Sequence, residues 1–86
     1  MKEIKYTITD PLGIHARPAG QLVKAASAYK DSDIKITVNG KTVDAKRIMG
    51  VMQLGAKQGH SLVIAINGGD EEAAAAGLEK FLKENL

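Results

Sequence analysis

The sequence holds no cysteine and no tryptophan, only two prolines, and three aromatic residues, Tyr6, Tyr29 and Phe81, in 86 positions. Without cysteine there are no disulfide staples and no thiolate metal sites, and the chain fits a reducing compartment, so a cytoplasmic location is expected. The three aromatics do not cluster as a stacking platform, so the nucleic-acid-binding module that a pI near 9.0 suggests is not expected. No apolar run approaches the ~18–20 residues of a membrane span. Met1 opens into Lys2-Glu3-Ile4-Lys5 rather than a signal-peptide core, so no membrane insertion is expected. His60 has no second histidine or ligand-spaced carboxylates beside it, and no metal site or cofactor is expected.

What is present suits one small domain spanning residues 1–86. Area scaling gives a folded surface of roughly 4,900 Å² against about 13,000 Å² for the extended chain. Charge is uneven. Residues 12–57 hold eight Lys/Arg against three acids, residues 58–86 hold two against five, and the first eleven are neutral. A basic front half steers acidic partners or phosphate, though an ordinary solvated surface has the same composition.

Ile4, Tyr6 and Ile8 alternate with Lys5, Thr7 and Thr9, the pattern of a half-buried strand. After the turn Asp10-Pro11-Leu12-Gly13, a helix beginning at Ala16 carries Ala19, Leu22, Val23 and Ala26 at helical spacing. Ile34, Ile36 and Val38 mark a second strand, and Asn39-Gly40 supplies a type I′ hairpin that pairs Ile36 with Val43 and Ile34 with Ala45. Ile48 to Leu54 reads as a short helix closed by Gly55. Ser61 to Asn67 is the most apolar strand and so takes a central position. Gly68-Gly69 then turns into a helix capped by Asp70. The order βαββαβα, with strands polar on one side, predicts an α+β open-faced β-sandwich: a four-stranded antiparallel sheet with three helices on one face.

The chemistry concentrates in Gly13-Ile14-His15-Ala16-Arg17-Pro18-Ala19. Pro18 is tolerated in a first helical turn, where N–H groups have no intrahelical acceptor. The remaining amides there favour an anion beside His15. The same field disfavours imidazolium and keeps the ring neutral and nucleophilic near pH 7. Arg17 adds a guanidinium that matches phosphate oxygens. Together they form a receptacle for a phosphoryl group on nitrogen. The tripeptide alone reads more readily as a cap-position histidine and a solvated arginine, and the flanking Gly13 and Pro18, which fix the backbone at the helix start, bring the two readings level.

At this point the chain resembles the histidine-containing phosphocarrier (HPr) family of the bacterial phosphoenolpyruvate-dependent sugar phosphotransferase system. The matching stretches are GIHARPA at 13–19, NGKTV at 39–43 and IMGVMQLG at 48–55, with the element order over the whole length. The resemblance implies that His15 accepts a phosphoryl group on Nδ1 from phosphorylated enzyme I and passes it to sugar-specific IIA domains. The phosphate contacts would come from Ala16, Arg17 and Pro18 at the helix start. A regulatory paralogue or a non-sugar phosphorelay using the same histidine is the alternative, and a monomer is expected. Many relatives carry a serine, phosphorylated by a dedicated kinase, directly before the IMG stretch; here that residue is Arg47, so this regulation is not expected. Leu12 stands where relatives often have Asn or Ser, so it cannot hydrogen-bond the ring.

On a helical wheel Ile48, Met49, Val51, Met52 and Leu54 span about 220°, far more than the ~100° needed to face a core. Ile48, Met49 or Met52 should therefore be exposed, ringed by Arg17, Lys24, Lys46 and Arg47 as a docking patch for acidic partners. Three features invite over-reading. Gly40-Lys41-Thr42 imitates a P-loop tail but lies in a hairpin, and Glu71 and Glu72 are first-turn helix charges. Ser27, Ser32 and Ser61 read as surface residues.

Overall fold

Period-two alternation builds the sheet. The computed structural model describes residues 1–14 and 16–86, residue 16 by its backbone alone. It places β1 (Lys2–Thr7), α1 (Ala16–Ser27), β2 (Asp33–Val38), β3 (Lys41–Asp44), α2 (Ile48–Gln53), β4 (Ser61–Asn67) and α3 (Glu71–Asn85) in that order. The four strands form one antiparallel sheet in the order β1-β4-β2-β3, so the most apolar strand, β4, is interior. Register aligns Ile4, Ile64, Ile36 and Val43 in one row across all four strands. The next residue on each strand gives the row Lys5, Val63, Thr37 and Thr42 on the opposite face, where the two threonine hydroxyls meet at 2.7 Å. A one-residue slip would exchange these faces, so burial specifies the register.

The hairpin joining β2 to β3 has Asn39 at φ 52° and Gly40 at φ 79°, the two positive angles a type I′ turn requires. Ala45 N–H extends that register by donating to Ile34 O at 2.9 Å. The helices bury Ala19, Leu22 and Ala26 from α1, Val51 from α2, and Ala74, Leu78 and Leu82 from α3 in the same apolar cluster as Ile4, Ile34, Ile36, Leu62, Ile64 and Ile66. The α+β open-faced sandwich is therefore as expected, and the accessible surface, 4937 Å², matches the area scaling.

Two side chains depart from the sequence reading. Ser32 is buried, because its hydroxyl donates to Gly68 O at 2.8 Å and ties the α1–β2 loop to the loop before α3. Lys46 is half-buried, and its ammonium donates to Tyr29 O and Ser32 O at 2.9 and 2.6 Å. It thus closes the carbonyls beyond α1, where a cation is favoured, instead of lining the docking patch. Gly77, a weak helix former in α3, leaves room for the Tyr29 hydroxyl, which an added Cβ would overlap.

Helix starts contrast sharply. Asp70 caps α3 by accepting from Ala73 N–H at 3.1 Å. Arg47 occupies the cap of α2 and makes no side-chain cap bond there, only a long contact of 3.9 Å to Asp44. Arg47→Ser should therefore stabilise the fold by about 0.5–1 kcal/mol and raise the thermal midpoint by several degrees, read by calorimetry. A lowered midpoint would contradict this account.

Glu71 accepts from Gly68 N–H at 2.7 Å and pairs with the Met1 ammonium at 3.1 Å, and these contacts, the first above all, hold its carboxyl below the ordinary value near 4.5. A depressed folded-state value means the contribution is complete above about pH 4.5 and is lost as pH falls through the lowered one. Glu71→Gln should be less stable than the parent at pH 7, with a smaller gap at pH 3 in urea titrations. An unchanged gap at both pH values would exclude this coupling.

Candidate phosphotransfer site

The segment leading into α1 is pinned from three sides. Ile8 exchanges backbone bonds with the 57–60 turn, donating to His60 O at 3.0 Å and accepting from Gly59 N–H at 2.9 Å. Thr9 and Asp10 N–H both donate to Leu86 O, as does the Thr9 hydroxyl, which fastens the segment to the end of α3. Asp10 then organises its own turn: its carboxylate accepts from Leu12 N–H at 2.9 Å and its carbonyl accepts from Gly13 N–H at 2.9 Å. Leu12 is left 71% exposed.

Gly13 is the position where a side chain is impossible. Its φ is +65°, and an added Cβ would overlap Ala56 O and lie 2.6 Å from Lys57 Cα. This close approach lets Ile14 N–H donate to Ala56 O at 3.0 Å and buries the Ile14 side chain. His15 follows in sequence and lies outside the described residues. Ala16, described by its backbone, opens α1.

The first turn of α1 has no acidic residue, and its leading amides have no intrahelical acceptor. Pro18 is buried and has no N–H to offer, so it shapes the turn and donates nothing to an anion. Arg17 is exposed and lines a shallow cleft of about 250 Å³ with Asp10, Pro18, Gln21, Glu84 and Asn85. The cleft is mixed in charge, with Asp10 and Glu84 sharing it with the guanidinium.

The apolar patch has the division expected from the wheel. Val51 and Leu54 are buried, while Ile48, Met49 and Met52 are 42%, 67% and 44% exposed. Arg17, Gln21 and Lys24 are exposed along one face of α1, and Gly20 on that face lies against α2, where an added Cβ would sit 3.6 Å from Ile48 Cδ1. The glycine thus brings the basic stripe of α1 beside the apolar residues of α2. Arg47 is exposed at the α2 start, while Lys46 is absent from this rim for the reason given above.

Two elements next to the pinned segment carried no spacing signal in the sequence: Gln21 in the α1 stripe and Lys57 beside Gly13. His60 is in a turn as expected, half-buried, with Nδ1 accepting from Lys57 N–H at 3.0 Å. Among the described residues no group of three His, Asp or Glu side chains is placed to hold a metal ion, and no helix is long and apolar enough to cross a membrane.

Residues 2–84 match the family described as "PTS HPr component phosphorylation site". The chain is similar to HPr-C-His from Thermoanaerobacter tengcongensis, at 39% identity and TM-score 0.91 over 98% of this chain and 93% of that one. It is similar to the phosphocarrier protein HPr of Bacillus anthracis strain Ames at 34% identity and TM-score 0.85, over 94% and 95% of the two chains. Crh of Bacillus subtilis, a catabolite repression protein crystallised as an intertwined, domain-swapped dimer, is 32% identical with TM-score 0.76, over 100% of this chain and 98% of that one. With a family match across nearly its entire length and relatives above 30% identity, the chain belongs to the HPr family of phosphotransferase-system phosphocarriers.

Proposed function

We propose that this protein carries a phosphoryl group on His15, taking it from phosphorylated enzyme I and passing it to sugar-specific IIA domains in the cytoplasm, as a monomer that meets one partner at a time. The observation that carries the reading is the start of α1 directly after His15, with an exposed Arg17 in its first turn and no acidic residue there. The lone pair of the neutral ring nitrogen forms the new N–P bond as the donor N–P bond breaks, and that electron pair stays on the donor nitrogen. The Ala16 and Arg17 amides and the Arg17 guanidinium receive the phosphoryl oxygens, while buried Pro18 holds the turn open. No metal or permanent cofactor takes part.

Docking is assigned to Ile48, Met49 and Met52, with Lys24 and Arg47 as the basic rim. A small apolar patch with exposed cations favours fast, reversible meetings with acidic surfaces, as a shuttle requires. The likeness to Crh, described as a catabolite repression protein, favours a second reading, a regulatory role, which in this chain would work, like a non-sugar relay, through His15. Transfer onto a panel of IIA domains separates the two: turnover by sugar-specific domains supports the first, and transfer only to other acceptors supports the second.

Incubation with phosphoenolpyruvate and enzyme I should add one acid-labile phosphoryl group, seen by intact mass spectrometry and absent in His15→Ala. An adduct that survives in that variant would refute the assignment. Arg17→Ala should lower the transfer rate constant about tenfold with little change in the docking constant, while Met49→Glu should weaken docking about tenfold and leave transfer at saturation near the parent's. Equal losses in both quantities for both variants would contradict this division of roles.

A further inference from the structure

We infer that Lys57 is a second cation of the phosphotransfer site, reaching the phosphoryl oxygens when His15 is phosphorylated; the inference rests on the reading of His15 given above. The Lys57 backbone lies against Gly13, so closely that only a residue without a Cβ fits, and Ile14 is bonded to the preceding residue, Ala56. Two peptide links separate Gly13 from His15, which limits their Cα separation to about 7.6 Å. The flexible four-carbon stem of a lysine covers a comparable span.

The root of that stem is held in place. His60 N–H donates to Lys57 O and Lys57 N–H donates to His60 Nδ1, both at 3.0 Å, while Ile8 bonds the same turn through Gly59 and His60. Lys57 is exposed, and among the described residues no carboxylate lies within ion-pairing distance of it. Arg17 stands in different company: Asp10 and Glu84 line its cleft and oppose its field at a dianion. A lysine rooted against Gly13, with no carboxylate in ion-pairing distance among the described residues, offsets that opposition. A phosphoryl group bearing close to two negative charges is the ligand such an arrangement favours.

The test uses Lys57→Gln, Lys57→Arg and, as a charge-matched control on the far face of the sheet, Lys35→Gln, each phosphorylated with phosphoenolpyruvate and enzyme I. The pH titration of the bound phosphoryl group is followed by phosphorus NMR, together with its hydrolysis rate. Loss of a cation in contact with the phosphoryl oxygens, at about 4 Å from phosphorus, should raise the titration midpoint by roughly 0.8 in Lys57→Gln. It should also change the phosphohistidine lifetime roughly twofold or more, with Lys57→Arg restoring the parent's behaviour and Lys35→Gln matching it. Parent-like titration and lifetime in Lys57→Gln would overturn the inference while leaving the carrier function intact. Failure of the parent protein to form an adduct would instead overturn the reading of His15, and this inference with it.

Discussion

The backbone contact between Gly13-Ile14 and Ala56-Lys57 is the constraint on which the functional end of the molecule depends. It joins two loops far apart in sequence, and it exists only because Gly13 has no side chain and adopts a positive φ. Ile14 then surrenders its N–H to Ala56 O and its side chain to the core, so the chain enters α1 from a defined position. Bonds from Thr9 and Asp10 to Leu86 fix the other approach. A group that must meet successive partners in one geometry gains from such an anchored approach, since orientation fixed beforehand need not be recovered at each encounter.

Burial is distributed to the same end. The sheet and the inner faces of α1 and α3 hold most of the apolar cluster, whereas six-residue α2 contributes Val51, with Leu54 just beyond it. Its remaining large residues stay in solvent, next to the exposed cations of α1. Lys46 illustrates the competition for charge: the carbonyls beyond α1 draw its ammonium inward, leaving Arg47, Lys24 and Arg17 to give the patch its positive edge. In the proposed carrier role a patch this small would make short-lived complexes, as a protein that must leave each partner needs.

Much of this was legible before any coordinates. Asn39-Gly40 dictated the hairpin and its register because few residues tolerate two successive positive φ angles. Alternation in β1 and β2 dictated which face is buried, the apolar run of β4 its interior place, and the wheel of α2 showed more apolar arc than a core can take. Ser32 departs from expectation because a short polar side chain in a loop looks the same in sequence whether it faces water or Gly68 O. Lys46 departs for a similar reason: its partners are backbone carbonyls, which no sequence pattern marks.

Local rules thus determined the elements, their order, the sheet's two faces, and a histidine followed by a helix start and an arginine. Those features come from interactions within a few residues or from strict periodicity, both visible along a chain. Only the tertiary structure decided which distant residues surround that segment: Ala56 and Lys57 under Gly13, Leu86 against Thr9, Gly20 beside Ile48, and Asp10 and Glu84 in the cleft of Arg17. Such juxtapositions depend on how layers pack in three dimensions, and backbone-to-backbone contacts leave no side-chain signature in the sequence.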